Sequence, residues 1–372
     1  MSRRRLLHLS AWASIPALAL LLFSPVVFHA APQMGAGAGT YHVLRTMPLG
    51  GEGSWDYITI DSDNHLIYSP RTENIQILDL NTGKLVGNIT GMKGLHGIAI
   101  APEFNRGVAT GADPDAVAYL IDLKAQKVVD TIHLIGAKGS DSLMYDPFTK
   151  RFFVNTAGSN NAQVIDAATG KYVGSVTLPG RPEAAVPDGK GSMFVNIVDK
   201  DSVVEYDAQK MTVKNMYSST PCVRGYGIAM DRATRRLFIS CQPTGTSGVM
   251  VVMNADNGKV IASVPIGVGA DGAAFDAGTG DIFMPCRDDG SGKMGATYIF
   301  HEDTPDKYSN VAVVHTIYGA RTGDEVDPKT HRFYSHATTE NNMPANATVT
   351  ADNPRPRLQP VANTFAVVEI GK

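Results

Sequence analysis

The sequence lacks the features that define disulfide scaffolds, haem proteins and nucleic-acid-binding proteins. Three cysteines in 372 residues are too few for a disulfide framework, and their odd number leaves one unpaired. Their spacing matches no zinc pattern, and no C-x-x-C-H motif for covalent haem is present. The chain has 33 Lys and Arg against 36 Asp and Glu, a net charge of −3. This balance argues against nucleic acid and anionic lipid as partners.

Signatures of nucleotide binding and nucleophilic catalysis are also missing. No glycine-rich loop opens a helix, and no G-x-S-x-G nucleophile elbow occurs. Trp55-Asp56 is the single Trp-Asp pair, which argues against a WD-repeat protein. After residue 40 no window reaches the ~18 apolar residues that a membrane helix needs. With 43% hydrophobic residues, the body is expected to be soluble and to bury a large core.

The first residues differ from the rest of the chain. Three arginines at positions 3–5 precede an apolar stretch over 11–28, and small residues follow at 30 and 31. This order predicts an export signal over 1–31, followed by a flexible linker over 32–39. We therefore expect a periplasmic, secreted or cell-surface bacterial protein. An uncleaved signal, which would anchor the chain to the membrane, is the alternative.

Seven internal repeats dominate the remaining sequence. Each has a short apolar strand, a turn, and a second strand rich in aromatic and β-branched residues. The turns begin at Asp61, Ala101, Asp146, Asp188, Asp231, Asp276 and Asp327, a period of roughly 40 to 51 residues. An aspartate at the head of a turn accepts hydrogen bonds from the turn amides. A second hairpin follows in most repeats, so each repeat supplies four antiparallel strands.

Four strands in each of seven repeats predict an all-β, seven-bladed β-propeller over residues 40–372. The segment 39–49 has no partner before it, and 364–372 has none after it. Pairing of these terminal strands would complete the seventh blade and remove an exposed sheet edge. A Pro- and Asn-rich insertion over 340–361 is too polar for a strand and predicts an exposed loop.

The repeats are similar to a known family. The pattern I-D-x-x-T-G-K, followed by D-P-x-x-x-R and an aromatic strand, resembles the YVTN-type repeats of exported bacterial propellers. The closest stretches are 146–155, 166–176 and 319–335, and the resemblance covers essentially the whole mature chain. The segments of this chain most similar to the Tyr-Val-Thr-Asn motif are Phe153-Val154-Asn155 and Phe194-Val195-Asn196. The resemblance implies a propeller with a secreted or surface location, and it assigns no chemistry.

Alignment of the repeats predicts which side chains meet at one mouth of the central channel. Polar residues lie five positions before each turn: Asp56, His96, Asp141, Glu183, Tyr226, Asp271 and Thr322. The ends of the second strands reach the same face, because antiparallel neighbours place an end beside a start. They bring Thr110, Asn155, Asn196, Ser240 and His336, and the rim also carries Arg224 and Arg321. We take these residues as a candidate ligand-binding face.

The acids and the histidine of this face are candidate metal ligands. The set is Asp56, His96, Asp141, Glu183 and Asp271. Mostly oxygen ligands favour Ca²⁺, whereas participation of the imidazole favours Zn²⁺ or Mn²⁺. Solvation of these acids in a water-filled channel, without any ion, is the alternative. The two arginines either clamp a ligand carboxylate or pair with the acids. No catalytic residue and no firm cofactor is predicted.

The three cysteines allow two pairings. Cys222 precedes the first strand of the fifth repeat, and Cys241 ends the second strand. A hairpin between them places the two opposite each other, so the disulfide Cys222–Cys241 is favoured in an oxidising compartment. Cys241 and Cys286 occupy equivalent positions of adjacent blades, and this pairing stays open as the alternative.

The resulting hypothesis is an exported, monomeric propeller that binds a small molecule or a protein through its channel face. A metal-dependent hydrolase of the lactonase type, with a Ca²⁺-like ion held by the acids, is the alternative function. A third hypothesis is an architectural module that uses blade edges and the 340–360 loop for protein contacts. Fold alone does not decide among these.

Overall fold

The computed structural model describes residues 39–112, 115–242, 247–343, 348 and 358–372. The predicted signal, nearly all of the linker and much of the 340–361 insertion lie outside the described residues. In the described part the fold is all-β, and its helical segments are the 3₁₀ turns Pro102–Phe104 and Val198–Lys200. None of the helices in these ranges has the length and apolar character that crossing a membrane requires.

Seven antiparallel sheets form the blades, numbered here by the position of their first strand. Blade 1 contains Thr59–Asp61, Leu66–Pro70, Ile75–Asp79 and Leu85–Ile89. Blade 2 contains Ile98–Ala101, Arg106–Ala112, Ala116–Asp122 and Lys127–His133. Blade 3 contains Ser140–Asp146, Arg151–Thr156, Asn161–Asp166 and Tyr172–Thr177. Blade 4 contains Pro182–Pro187, Ser192–Ile197, Ser202–Asp207 and Thr212–Ser218.

The other three blades follow the same order with two variations. Blade 5 contains Gly225–Asp231, Arg236–Cys241, Val249–Asn254 and Val260–Pro265. Blade 6 has a divided first strand, and its segments are Val268–Ala270, Ala274–Asp276, Asp281–Asp288, Gly295–Thr304 and Lys307–Thr316. Blade 7 contains Val326–Asp327, Arg332–Thr338, Phe365–Gly371 and the N-terminal strand His42–Pro48. The predicted seven-bladed propeller is thereby confirmed.

The aspartates at the heads of the turns hold the hairpins together. Asp146 accepts hydrogen bonds from the backbone N–H groups of Phe148 and Thr149, both at 3.2 Å. Asp231 accepts from Ala233 at 2.8 Å and Thr234 at 3.1 Å. These bonds satisfy turn amides that no strand partner reaches. The repeated aspartate is therefore a local reason for the hairpin in the six repeats that have it, whereas the second repeat has Ala101 and turns through Pro102–Phe104.

The ring closes in the predicted way, because blade 7 takes strands from both ends of the chain. His42–Pro48 runs antiparallel to Phe365–Gly371, with His42 opposite Gly371 and Pro48 opposite Ala366. The first strand of each blade contacts the first strand of the next, and Val326–Asp327 of blade 7 contacts Thr59–Asp61 of blade 1. The seven first strands therefore surround a central channel.

The hydrophobic core is divided among the interfaces between blades. In the described ranges each pair of neighbouring blades shares one cluster of buried side chains. Phe283 of blade 6 stacks on Phe333 of blade 7, with ring centroids 5.1 Å apart, and both rings are fully buried. Burial of these side chains between blades agrees with the apolar residues of the inner strands, because such a strand is covered by a neighbouring blade on each face.

Two local features bear on the predictions. Cys222 is joined to Cys241 by a disulfide, and Cys286 is a buried free thiol. The start of the insertion departs from the predicted loop, because Asn341–Asn342 pairs with Gln359–Pro360 in a short two-stranded ribbon. This pairing uses backbone groups, so it forms although Asn342 and Gln359 remain exposed.

Candidate functional site

The starts of the first strands bring ionisable side chains from several blades to one end of the channel, here called the channel mouth. Its residues are Asp56, His96, Asp141, Glu183, Tyr226, Asp271 and Arg321. Backbone bonds fix the loops that carry them: Tyr57 N–H donates to the His96 carbonyl at 3.1 Å, and Gly272 N–H donates to the Arg321 carbonyl at 3.0 Å. The rigid ring of first strands therefore positions these groups.

Asp56, His96 and Asp141 lie close enough to share one ion. His96 Nδ1 is 2.7 Å from Asp56 Oδ2 and 3.5 Å from Asp141 Oδ1. One ligand atom from each residue lies within 4.8 Å of the others. The two carboxylates are 18% and 17% exposed and the imidazole is 41% exposed. Two carboxylates and one imidazole, all reachable from solvent, suit a divalent cation.

Burial and mutual repulsion perturb the protonation of this triad. Burial, opposed by His96 and assisted by the carboxylates of Asp56 and Asp271, raises the pKa of Asp141 to about 6. Burial likewise raises the pKa of Asp56, although its hydrogen bond to His96 opposes the change. That hydrogen bond raises the pKa of His96. The carboxyl group of Asp141 therefore changes protonation near pH 6, and a bound cation would favour its deprotonated form.

Glu183 lies beside the triad in a drier position and is 5% exposed. The Tyr57 hydroxyl donates to its Oε1 at 3.3 Å, and Arg181 Nη2 donates to Oε2 at 3.3 Å. Burial and the carboxylate of Asp141 raise the pKa of Glu183 well above its usual range. Its protonated form is therefore favoured relative to that of a solvated glutamate, and it lies outside the group of three whose ligand atoms are within 4.8 Å of one another.

The opposite side of the channel mouth is basic. Arg321 Nε donates to Asp271 Oδ2 in an ion pair of which both side chains are largely buried. Beside this pair is a cavity of about 180 Å³ lined by Tyr226, Gln242, Gly269, Asp271, Arg287 and Arg321. We call it the arginine pocket. Arg224 points at the same wall and donates to the Tyr226 hydroxyl at 2.5 Å.

Sequence reasoning missed Arg287 and Gln242. Each directly follows a cysteine that ends the equivalent part of a second strand, Cys286 in blade 6 and Cys241 in blade 5. In both blades the repeat alignment ended two residues before the position of Gln242 or Arg287. Extending it by two positions would have placed both side chains at the same mouth.

Three residues predicted for the ligand-binding face are instead buried in the blades. Asn155 and Asn196 are 0% exposed and His336 is 1% exposed. Asn155 Nδ2 donates to the Glu183 carbonyl and Asn196 Nδ2 to the Tyr226 carbonyl at 2.7 Å, which joins neighbouring blades. Burial lowers the pKa of His336 to about 3. The second strand is covered by the adjacent first strand, so the two asparagine side chains donate to backbone carbonyls rather than to solvent, and both ring nitrogens of His336 are buried without a hydrogen-bond partner among the described residues.

Thr110 and Ser240 act in the same way as these buried side chains. Thr110 Oγ1 accepts the His96 N–H at 3.1 Å, and Ser240 Oγ accepts the Gly227 N–H at 2.9 Å. Thr322 is 1% exposed. The hydroxyls of Thr110 and Ser240 therefore hold the first strands in place, whereas that of Thr322 is buried without a hydrogen-bond partner among the described residues.

Two further acids line the channel below the mouth, and the repeat alignment did not predict them. Asp324 and Glu325 border a cavity of about 340 Å³. Burial, with the carboxylate of Asp56, raises the pKa of Asp324 to about 7. Burial, with the carboxylate of Asp324, raises the pKa of Glu325 to about 8. The first strand of blade 7 is only Val326–Asp327, so the segment before it leaves the regular repeat register.

Comparison with known proteins supports the fold and leaves the activity open. No family model and no curated protein sequence matches the chain. The structure is similar to hydrazine synthase of Kuenenia stuttgartiensis, with a TM-score of 0.65 and 16% identity, over 78% of this chain and 94% of that chain. It is also similar to U3-55K, with a TM-score of 0.66 and 8% identity, over 87% and 97% respectively. At these identities the likeness shows the propeller fold alone.

Proposed function

We propose that this chain is an exported propeller with YVTN-type repeats that acts as a ligand-binding scaffold, and that its channel mouth binds a divalent cation. The observation that carries the proposal is the convergence of Asp56, His96 and Asp141 from the starts of three successive blades. Placing partly buried carboxylates together is unfavourable for folding, and perturbed ionisable groups in a concave site are typical of functional sites. The signal-like N-terminus supports the exported location.

The cation is tested by elemental analysis of the protein purified without chelator, followed by titration with Ca²⁺, Mn²⁺ and Zn²⁺ while the melting temperature is measured. We expect saturable stabilisation by one of these ions, since a ligand that binds only the native state raises its stability. Asp141→Asn removes one charged ligand and is expected to weaken that binding at least tenfold.

Asp130→Asn is the matched control for this test, because Asp130 is exposed on an outer strand of blade 2. It should leave the titration unchanged. Absence of stoichiometric metal, together with no shift of the melting temperature by any of the three ions, would contradict a cation at the channel mouth.

A hydrolase of the lactonase type is the second candidate, and one observation favours it. A carboxylate whose pKa is raised to about 6 can accept a proton from water near neutral pH. Asp141 is itself one of the three residues of the candidate cation site, so proton acceptance would fall to a carboxylate oxygen that does not contact the ion. A divalent cation held there would supply Lewis-acid activation of an ester carbonyl.

The hydrolase is tested by assaying lactone and ester hydrolysis with and without the stabilising ion. Metal-dependent turnover that falls at least 100-fold in Asp141→Asn but not in Asp130→Asn would support it. The size of this loss follows from the contribution usually made by general-base catalysis, about 10²–10⁴-fold. Binding of the ion without any turnover would leave a binding scaffold.

A further inference from the structure

The arginine pocket contains a cationic side chain whose charge has no counterpart in the described residues. Arg287 is half-buried, and its Nε is buried with no hydrogen-bond partner among those residues. None of the carboxylates in the described ranges forms an ion pair with its guanidinium. A buried donor without a partner is unfavourable, and more so when it is charged. The side chain is therefore suited to an anion that comes from outside the chain.

The backbone around Arg287 holds this side chain against the pocket wall. A Cβ atom at Gly269 would lie 3.2 Å from Arg287 Cβ and 3.4 Å from its Nε. Gly269 also has a φ of +69°, a left-handed conformation that glycine adopts without strain. The Arg287 carbonyl accepts the Gly319 N–H at 3.0 Å. Glycine at 269 thus leaves the space that the arginine side chain occupies.

The charges of the pocket define the anion it can hold. Arg321 is already paired with Asp271, so this pair contributes no net charge. Tyr226 and Gln242 add neutral polar groups. Of the two arginines that line the pocket, Arg287 is the one that forms no ion pair among the described residues. A single negative charge balances that of Arg287, whereas a dianion would bring one negative charge more than this side chain balances.

We propose that the arginine pocket binds the carboxylate group of a small organic monoacid through Arg287, with Tyr226 and Gln242 beside it. The planar guanidinium presents paired N–H donors that match the two oxygens of a carboxylate. A cavity of about 180 Å³ suits a small molecule rather than a peptide. This inference rests on the proposed function, since it names the chemical class of ligand that enters the same mouth.

The test measures binding of lactate and pyruvate to the purified protein by isothermal titration calorimetry, with phosphate and sulfate as dianions for comparison. We expect saturable binding of at least one monoacid, weakened at least tenfold by Arg287→Gln. Arg232→Gln is the matched control, because Arg232 lines the cavity at the other end of the channel and the same charge is lost. It should bind the monoacid like the natural chain.

A second measurement covers the case in which Arg287→Gln fails to fold. In the natural chain the bound monoacid should slow modification of Arg287 by phenylglyoxal, followed by mass spectrometry, and leave that of Arg232 unchanged. Three results would overturn the inference: no monoacid binds, binding is equal in Arg287→Gln, or phosphate or sulfate binds more tightly than both monoacids.

Cation titration of Arg287→Gln separates this inference from the proposed function. If the variant and the natural chain both bind the ion but the natural chain binds no monoacid, the pocket assignment fails and the scaffold proposal stands. If the natural chain binds neither ion nor monoacid, both fail.

Discussion

Replacement of Glu369 by alanine is expected to lower the free energy of unfolding by about 3 kcal/mol. Glu369 is 0% exposed and lies on the C-terminal strand that closes the ring. Its carboxylate pairs with Arg45 of the N-terminal strand and, at 2.6 Å, with Arg332 of the second strand of blade 7. The alanine variant leaves two guanidinium groups without their shared anion at the one blade that joins both chain ends.

The measurement is guanidinium chloride unfolding followed by the fluorescence of Trp55. This residue contacts Phe365 of the closing strand, with ring centroids 5.4 Å apart, so it reports on closure. Asp256→Ala is the control, because Asp256 pairs with Arg235 but is 58% exposed. Exposed pairs contribute about 0.2–1 kcal/mol. A Glu369 variant no less stable than this control would show that the ion pairs of this buried carboxylate do not hold blade 7 closed.

Glu325→Gln is expected to remove a loss of stability that the natural chain undergoes as the pH rises. The pKa of Glu325 is raised to about 8 from an ordinary value of 4.5. Between these values the folded chain keeps a proton that the unfolded chain has released, so stability falls with increasing pH and levels off above pH 8. A pKa change of one unit corresponds to about 1.4 kcal/mol, so the free energy of unfolding falls by roughly 5 kcal/mol over this pH range.

The amide side chain of this variant would stay neutral throughout and would still accept the Ile60 N–H, which in the natural chain donates to Glu325 Oε2 at 2.7 Å. The variant should therefore match the natural chain near pH 4.5 and be more stable near pH 9. Melting temperatures across this range give the comparison. Glu73→Gln, at an exposed position in blade 1, should follow the natural chain. Parallel curves for Glu325→Gln and the natural chain would mean that folding does not raise the pKa of Glu325.

Much of the fold was predictable because its determinants are local and repeated. The aspartate turns, such as those at Asp146 and Asp231, depend on hydrogen bonds within two or three residues. Alternation of apolar and polar residues then defines the strands. Closure by the terminal strands followed from the same pattern, since each end supplied an incomplete set of strands.

The site was predicted only in part, because contacts across the channel join residues far apart in sequence. Alignment found Asp56, His96 and Asp141, which the structure brings within 4.8 Å. It placed Asn155 at the mouth, whereas the structure buries this side chain against the next blade. It also missed Arg287. The packing of neighbouring blades decides which of two adjacent residues faces the channel. A shift of one residue in the strand register exchanges the side chain that faces the channel with the one that is covered.

The amino-acid sequence by itself determined the number of blades, the hairpin turns and the types of charged residue at the start of each first strand. These depend on periodicity and on bonds between near neighbours. The tertiary structure alone decided which charges meet. It pairs Arg321 with Asp271, leaves Arg287 without a partner in the described residues, and places the half-buried Asp324 and Glu325 beside a cavity in the channel. Burial and charge balance are properties of the assembled ring, because each depends on side chains contributed by several blades at once.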